Sequence, residues 1–92
     1  MIQSIRHKGL RLYYEVGKSA KLPREQLSKL SRFLSALDAI SSEDDIRALG
    51  NGIHQLKGNY KGFWSLTVTG NYRLIFRWES PDIHDVDYLD YH

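Results

Sequence analysis

Apolar positions along this chain change their spacing once, near Ile53, and that change predicts the layout of the fold. Before it, the repeat is helical. Leu10, Tyr13, Tyr14 and Val16 fall along one stripe, and Gly17 is a natural stop. Pro23 suits the first position of a second helix. In that helix Leu27, Leu30, Leu34 and Leu37 form an apolar stripe beside charged positions, which predicts core. Ser41-Ser42-Glu43-Asp44-Asp45 supplies capping hydroxyls and then acids for a first turn, so a short helical turn should end near Gly50. Ile2 to Ile5 reads as a short opening strand.

Beyond Ile53 the period is two. Trp64, Leu66 and Val68 alternate with Ser65, Thr67 and Thr69; Leu74, Phe76 and Trp78 alternate with Arg73, Ile75 and Arg77. A two-residue turn at Gly70-Asn71 would set Val68 against Arg73 and Trp64 against Arg77, mixing cations with large apolar groups. A bulged loop Gly70-Asn71-Tyr72 instead pairs Val68 with Leu74, Leu66 with Phe76 and Trp64 with Trp78. It leaves Ser65, Thr67, Thr69, Arg73, Ile75 and Arg77 on the other, polar face. A last strand runs from Ile83 to Tyr91 after a Pro81-Asp82 turn. The expected architecture is one α+β domain over residues 1–92. Two N-terminal helices pack on one face of a twisted, mainly antiparallel sheet of about four to five strands. The solvated face is a natural place to receive a ligand.

Ninety-two residues allow one modest core, and a chain this short buries only about two thirds of its unfolded surface. Cysteine is absent, which removes disulfides, a thiolate zinc site and a cysteine nucleophile together. No apolar leader or span of ~20 residues occurs, so a soluble cytoplasmic protein with no membrane partner is expected. The net charge of +2 is unevenly spread. Residues 1–37 hold eight basic and two acidic residues, net +6, and residues 38–92 hold five and nine, net −4. That asymmetry fits a polyanion met by one part of the surface, or two solvated basic helices.

The histidines are His7, His54, His84 and His92, and none has a metal-ligand spacing, so no metal or other cofactor is expected. His7 and His84 are expected to be surface residues. A looser constellation remains: His54 and Lys57 in one segment, Arg73 in the hairpin, and Asp90-Tyr91-His92 at the end. RNA cleavage without a metal requires a base for the ribose 2′-hydroxyl, an acid for the leaving 5′-oxygen and cations for the phosphorane. Histidine can transfer the protons, arginine and lysine can meet the phosphate, and aromatic rings can hold an unstacked base. Equally, His54 can be a polar residue at a strand start. Lys57 can be a turn lysine, and Arg73 can be neutralised across strands by Asp85 or Asp87.

The residues His54-Gln55-Leu56-Lys57-Gly58, Gly62-Phe63-Trp64-Ser65-Leu66-Thr67-Val68, Asn71-Tyr72-Arg73-Leu74-Ile75-Phe76 and Asp90-Tyr91-His92 together resemble the HigB branch of the RelE/ParE toxin superfamily, the plasmid-maintenance killer proteins. The start, Ile2 through His7-Lys8-Gly9-Leu10, is similar to the same branch, so the resemblance covers essentially the whole chain. It implies a RelE-like fold and a ribosome-dependent messenger-RNA endonuclease, silenced by a helix-turn-helix antitoxin of the HigA kind. His54, Lys57, Arg73, Asp90, Tyr91 and His92 match the family's active-site pattern. Thr69 stands where many relatives carry a second arginine. Arg77, about 13 Å along the strand from Arg73, is a poor substitute for it.

On this reading His92 or His54 transfers protons and Asp90 orients a neighbour. Arg73 and Lys57 stabilise the transition state, and Tyr91 positions the nucleotide. Arg6, Lys8, Arg11, Lys18 and Lys21 would grip ribosomal RNA, with Thr69, Asn71 and Arg77 near the message. A non-catalytic toxin that binds a protein such as gyrase is the alternative, and an inert binding module is the third reading.

Overall fold

The computed structural model describes residues 1–90; Tyr91 and His92 lie outside the described residues. The elements run α1 (Lys8–Val16), a 3-10 turn (Arg24–Gln26), α2 (Leu27–Asp38), α3 (Glu43–Arg47), β1 (His54–Gln55), a second 3-10 turn (Gly58–Tyr60), β2 (Phe63–Thr67), β3 (Tyr72–Glu79) and β4 (Asp82–Asp90). The four strands form one antiparallel sheet in the order β1-β2-β3-β4. Both long helices contribute to a core shared with one face of that sheet. Leu10, Leu30, Phe33, Leu34 and Leu37 bury themselves with Trp64, Leu66, Leu74, Phe76, Ile83 and Val86. Leu30 and Leu37 are fully buried, so truncation of either to alanine costs about 2–5 kcal/mol.

Local chemistry fixes the helix ends. His7 caps α1: its Nδ1 accepts the Leu10 N–H at 3.0 Å, and its ring meets Tyr88 edge-on at 5.3 Å. His7 is thus a half-buried structural residue rather than the expected surface group. Gly17 ends α1 in the left-handed conformation, φ 75°. Val16 departs from the expected stripe and is exposed. Pro23 precedes a 3-10 turn rather than opening α2, which begins at Leu27. Ser42 and Asp45 form a capping box on α3. Asp38, at the end of α2, accepts the Tyr14 hydroxyl at 2.8 Å and the Ile2 N–H at 2.8 Å, tying α1 and the first residues to α2. Burial first, and then the hydrogen bond to Asp38, push the Tyr14 phenol up to about 12.

Three strand features differ from the sequence expectation. The β2–β3 register pairs Leu66 with Leu74 and Trp64 with Phe76, two residues from the predicted alignment. A two-residue slip keeps side chains on the same faces, so apolar alternation cannot choose between the two registers. The turn chooses: Val68 N–H bonds the Tyr72 carbonyl at 2.9 Å, leaving Thr69-Gly70-Asn71 as the loop. The polar face is also less open than predicted, because Ser65 and Ile75 on it are buried. Finally, Ile2 and Ile5 make only isolated parallel bridges, to Ile83 and Val86, so the opening strand is an extended segment laid beside β4.

A bulge in β4 sets which of its residues face the helices. Ile83 and Val86 are three apart and would point to opposite sides of a regular strand, yet both are fully buried. The register shifts between Ile75 and Arg77, and Asp85 adopts φ 54°. The extra residue restores Val86 to the core side and turns Asp85 toward the polar face.

Candidate active site

The polar face is built in rows across the sheet. His54 lies opposite Ser65, Ser65 opposite Ile75, and Ile75 opposite Asp87. One row nearer the hairpin, Thr67 faces Arg73 and Arg73 faces Leu89. Opposed residues share a face, so His54 and Arg73 project to the same side. Their backbones are about 10 Å apart across two strands and about 7 Å along them.

His54 is held by a loop that glycine alone suits. Gly52 has φ +71°, and a Cβ there would stand 2.8 Å from Thr67 Oγ1. The loop is pinned further by Thr67 N–H donating to the Asn51 carbonyl at 2.8 Å. The Gly52 carbonyl then receives His54 Nδ1–H at 2.7 Å. A carbonyl only accepts, so the proton of a neutral imidazole sits on Nδ1 and Nε2 presents its lone pair. His54 is exposed, so its Nε2 is open to a proton donor. It borders an open groove of about 320 Å³ with Arg47, Ile53, Gln55 and Trp64.

Arg73 is half-buried, and its Nη1 donates to the carbonyls of Thr69 at 2.6 Å, Gly70 at 3.1 Å and Tyr72 at 3.0 Å. Neither Asp85 nor Asp87 is its cross-strand neighbour, because those positions are Thr67 and Leu89. Thr69 and Asn71 are exposed turn residues beside it. Lys57 is exposed at the start of the 57–62 loop, on a groove of about 420 Å³ with Gln55, Leu56, Gly58, Lys61 and Gly62. Asp90 pairs with Tyr72, which places it at the rim of the helix-covered side, on the face opposite Arg73. Tyr91 and His92 are outside the described residues; of the other four residues expected at the site, His54 and Arg73 share the polar face, while Lys57 lies on a separate groove beyond β1 and Asp90 on the opposite face.

The cations assigned to binding divide in two. Lys8, Arg11, Lys18 and Lys21 are exposed on α1 and the segment after it. Arg77 is committed: its Nε bonds Asp85 at 2.7 Å and its Nη1 bonds Glu79 at 2.6 Å. Arg6 lies 3.6 Å from Asp85 and 5.4 Å above the Phe63 ring. The Arg77 hydrogen bond holds the Asp85 carboxyl below the usual carboxylate range, with Arg6 adding to it. Glu79 first, and then Asp85, raise Arg77 in return. His84 is half-buried at the margin of this cluster, 3.6 Å from Glu79. Arg77 is therefore a structural cation.

A charge feature escaped the division of the sequence at residue 38. From Ile46 to Trp78 the chain carries five basic residues and no acidic one. This window contains β1, β2, most of β3 and the connecting loops, so the β1–β2 side of the polar face is cationic while β4 supplies Asp85 and Asp87 to that face. A sliding count of charge would have found it. Among the described residues, no three His, Cys, Asp or Glu side chains cluster as a metal would require. Among them, too, no helix is long and apolar enough to cross a membrane.

Helices on one face of a four-stranded antiparallel sheet, with a cation-bearing opposite face, define the RelE-like toxin fold. The YoeB–YefM complex from Staphylococcus aureus shares it, with a TM-score of 0.66 at 17% identity over 100% of this chain and 95% of that one. The chain belongs to the HigB-like toxins: the family model described as "RelE-like toxin of type II toxin-antitoxin system HigB" matches residues 3–92. Endoribonuclease HigB of Proteus vulgaris is 34% identical over 92 residues, covering 100% of both chains. Toxin HigB-1 of Vibrio cholerae is 40% identical over 80 residues, 85% of this chain and 84% of the relative. The type II system in the family description pairs a toxin with an antitoxin.

Proposed function

We propose that this toxin is an endoribonuclease that cuts messenger RNA on the ribosome by attack of the ribose 2′-hydroxyl on the adjacent phosphate, without a metal. One observation carries the reading. The Gly52 carbonyl holds His54 in the tautomer whose Nε2 can accept a proton, on the face that also bears Arg73. The name of the Proteus vulgaris relative supports the same activity.

In this mechanism His54 Nε2 takes the 2′-hydroxyl proton as the oxygen attacks phosphorus, and the bond to the 5′-oxygen breaks. Arg73 and Lys57 stabilise the dianionic phosphorane, where preformed donors act most strongly. The acid that protonates the departing 5′-oxygen is His92, with Tyr91 positioning the nucleotide and Asp90 orienting a neighbour; these roles rest on the family pattern. The products are a 2′,3′-cyclic phosphate and a 5′-hydroxyl. Lys8, Arg11, Lys18 and Lys21 form the outer phosphate-binding surface, where contacts bring affinity without sequence choice. The antitoxin is a helix-turn-helix protein of the HigA kind, and the setting is the cytoplasm.

A translated message with one 2′-deoxy substitution at the cut site tests the chemistry. It should resist cleavage at that position while neighbouring sites are still cut. Equal cutting of the deoxy site would overturn the mechanism, and equal cutting of ribosome-free message would overturn ribosome dependence.

A further inference from the structure

Beyond Lys57, the loop between β1 and β2 plays no part in that mechanism, yet its surface is unusual for this molecule. Tyr60 is the one aromatic side chain among the large exposed hydrophobic residues described, 37% exposed. Its ring meets Phe63 edge-on, with centroids 5.7 Å apart and planes at 85°. Phe63 is buried beneath it and carries the Arg6 guanidinium above its own ring at 5.4 Å. The Tyr60 ring thus packs on Phe63 and leaves part of its surface in water. The backbone also holds the loop: Tyr60 N–H bonds the Lys57 carbonyl at 3.4 Å and Lys61 N–H bonds that of Gly58 at 3.1 Å. Lys57 and Lys61 belong to the same loop, line a groove of about 420 Å³, and form no ion pair among the described residues. No acidic residue occurs between Asp45 and Glu79 to neutralise them.

We propose that Tyr60 is a stacking platform for an unpaired nucleobase of the RNA, with Lys61 meeting that nucleotide's phosphate. This subsite rests on the nuclease reading and extends it. Phe63 shares a face with Ser65 and Thr67, so the platform lies at the end of the polar face away from the hairpin. Phe63 is four residues from Thr67, about 13 Å along the strand from the Arg73 row. The strand of RNA therefore runs from Arg73 past His54 toward Tyr60, and the base on Tyr60 neighbours the cut rather than being the cut nucleotide. A flat aromatic surface on a loop that also carries cations suits any unpaired base, because every base has a π-face.

The test compares Tyr60→Ala and Tyr60→Phe in the full chain. Two readouts are taken: KM and kcat on ribosome-engaged message, and quenching of 2-aminopurine in a short single-stranded RNA. Loss of stacking should raise KM of Tyr60→Ala about 5- to 100-fold and abolish quenching, with kcat changed less than about twofold. Tyr60→Phe, which keeps the ring, should restore both. A folded Tyr60→Ala protein with unaltered KM and undiminished quenching would overturn the proposal. If the unmutated chain quenched the probe through Tyr60 but cut no message, the nuclease reading would fall and the subsite would stand.

Discussion

The bulge and the β1 edge of the polar face both carry cations and use them differently. At the bulge end, Arg77 is held by Asp85 and Glu79, and Arg6 approaches the same Asp85. At the β1 edge, His54, Lys57 and Lys61 face solvent inside a stretch of chain that contains no carboxylate. The difference follows from what the backbone brings near each cation. The bulge in β4 turns Asp85 toward Arg77 one strand away, whereas Arg73, on the same strand, lies opposite Leu89 and donates to the hairpin carbonyls. β2 and β3 lie between β1 and the aspartates of β4. Arg77 therefore contributes to stability, and the lysines beside β1 remain available to a polyanion.

That contrast can be broken most severely at His54. His54→Ala should lower kcat on the order of 10²- to 10⁴-fold with little change in melting temperature; full activity in the folded variant would remove the base from the mechanism. Gly52→Ala should have a smaller effect, shared between stability and turnover. A left-handed alanine costs roughly 1–2 kcal/mol, the clash with Thr67 adds to it, and turnover should fall as the His54 ring loses its carbonyl. Chemical denaturation alongside single-turnover cleavage would measure the two effects together.

At the bulge end the expectation reverses. Asp85→Asn should cost about 1–3 kcal/mol of stability and leave turnover nearly intact. The Asp85 carboxyl titrates lower folded than unfolded, so its ion pairs stabilise the protein above the unfolded value of ~3.9 and are lost as pH falls through the folded one. The unmutated chain should therefore lose stability steeply in acid below about pH 4, and Asp85→Asn should show a shallower fall; superimposable acid transitions would refute the role. The smallest effect belongs to Lys61→Ala, which should reduce the salt slope of RNA binding by about one ion. An unchanged slope would mean that Lys61 meets no phosphate.

Helix positions were legible in the sequence because their causes are local: leucine spacing, the Ser42 cap and Gly17. Which face of each strand is apolar was legible for the same reason. The register was not, since a shift of two residues leaves every side chain on its face and only the Thr69-Gly70-Asn71 turn decides. The bulge gave no local sign either, because Asp85 is neither glycine nor asparagine and its conformation answers to Ile83 and Val86 both needing the core. His7 looked like a surface residue because capping depends on where α1 begins. At the site, His54 and Arg73 fall on one face as the constellation required, whereas the tautomer-setting carbonyl depends on a three-dimensional approach of Gly52 to Thr67. The separation of Arg77 from Arg73 depended on pairing with β4, which residue spacing alone does not reveal.

The segment from Ile2 to Ile5 lies parallel to β4 through bridges to Ile83 and Val86, so partners about 80 residues apart in the chain must find each other before either is buried. Contacts of such long sequence separation are repaid late, after the helices and the hairpin between them have drawn the intervening chain together. Removal of residues 82–90 would take Ile83 and Val86 out of the core and leave the edge of β3 bare, an open template for pairing with another chain.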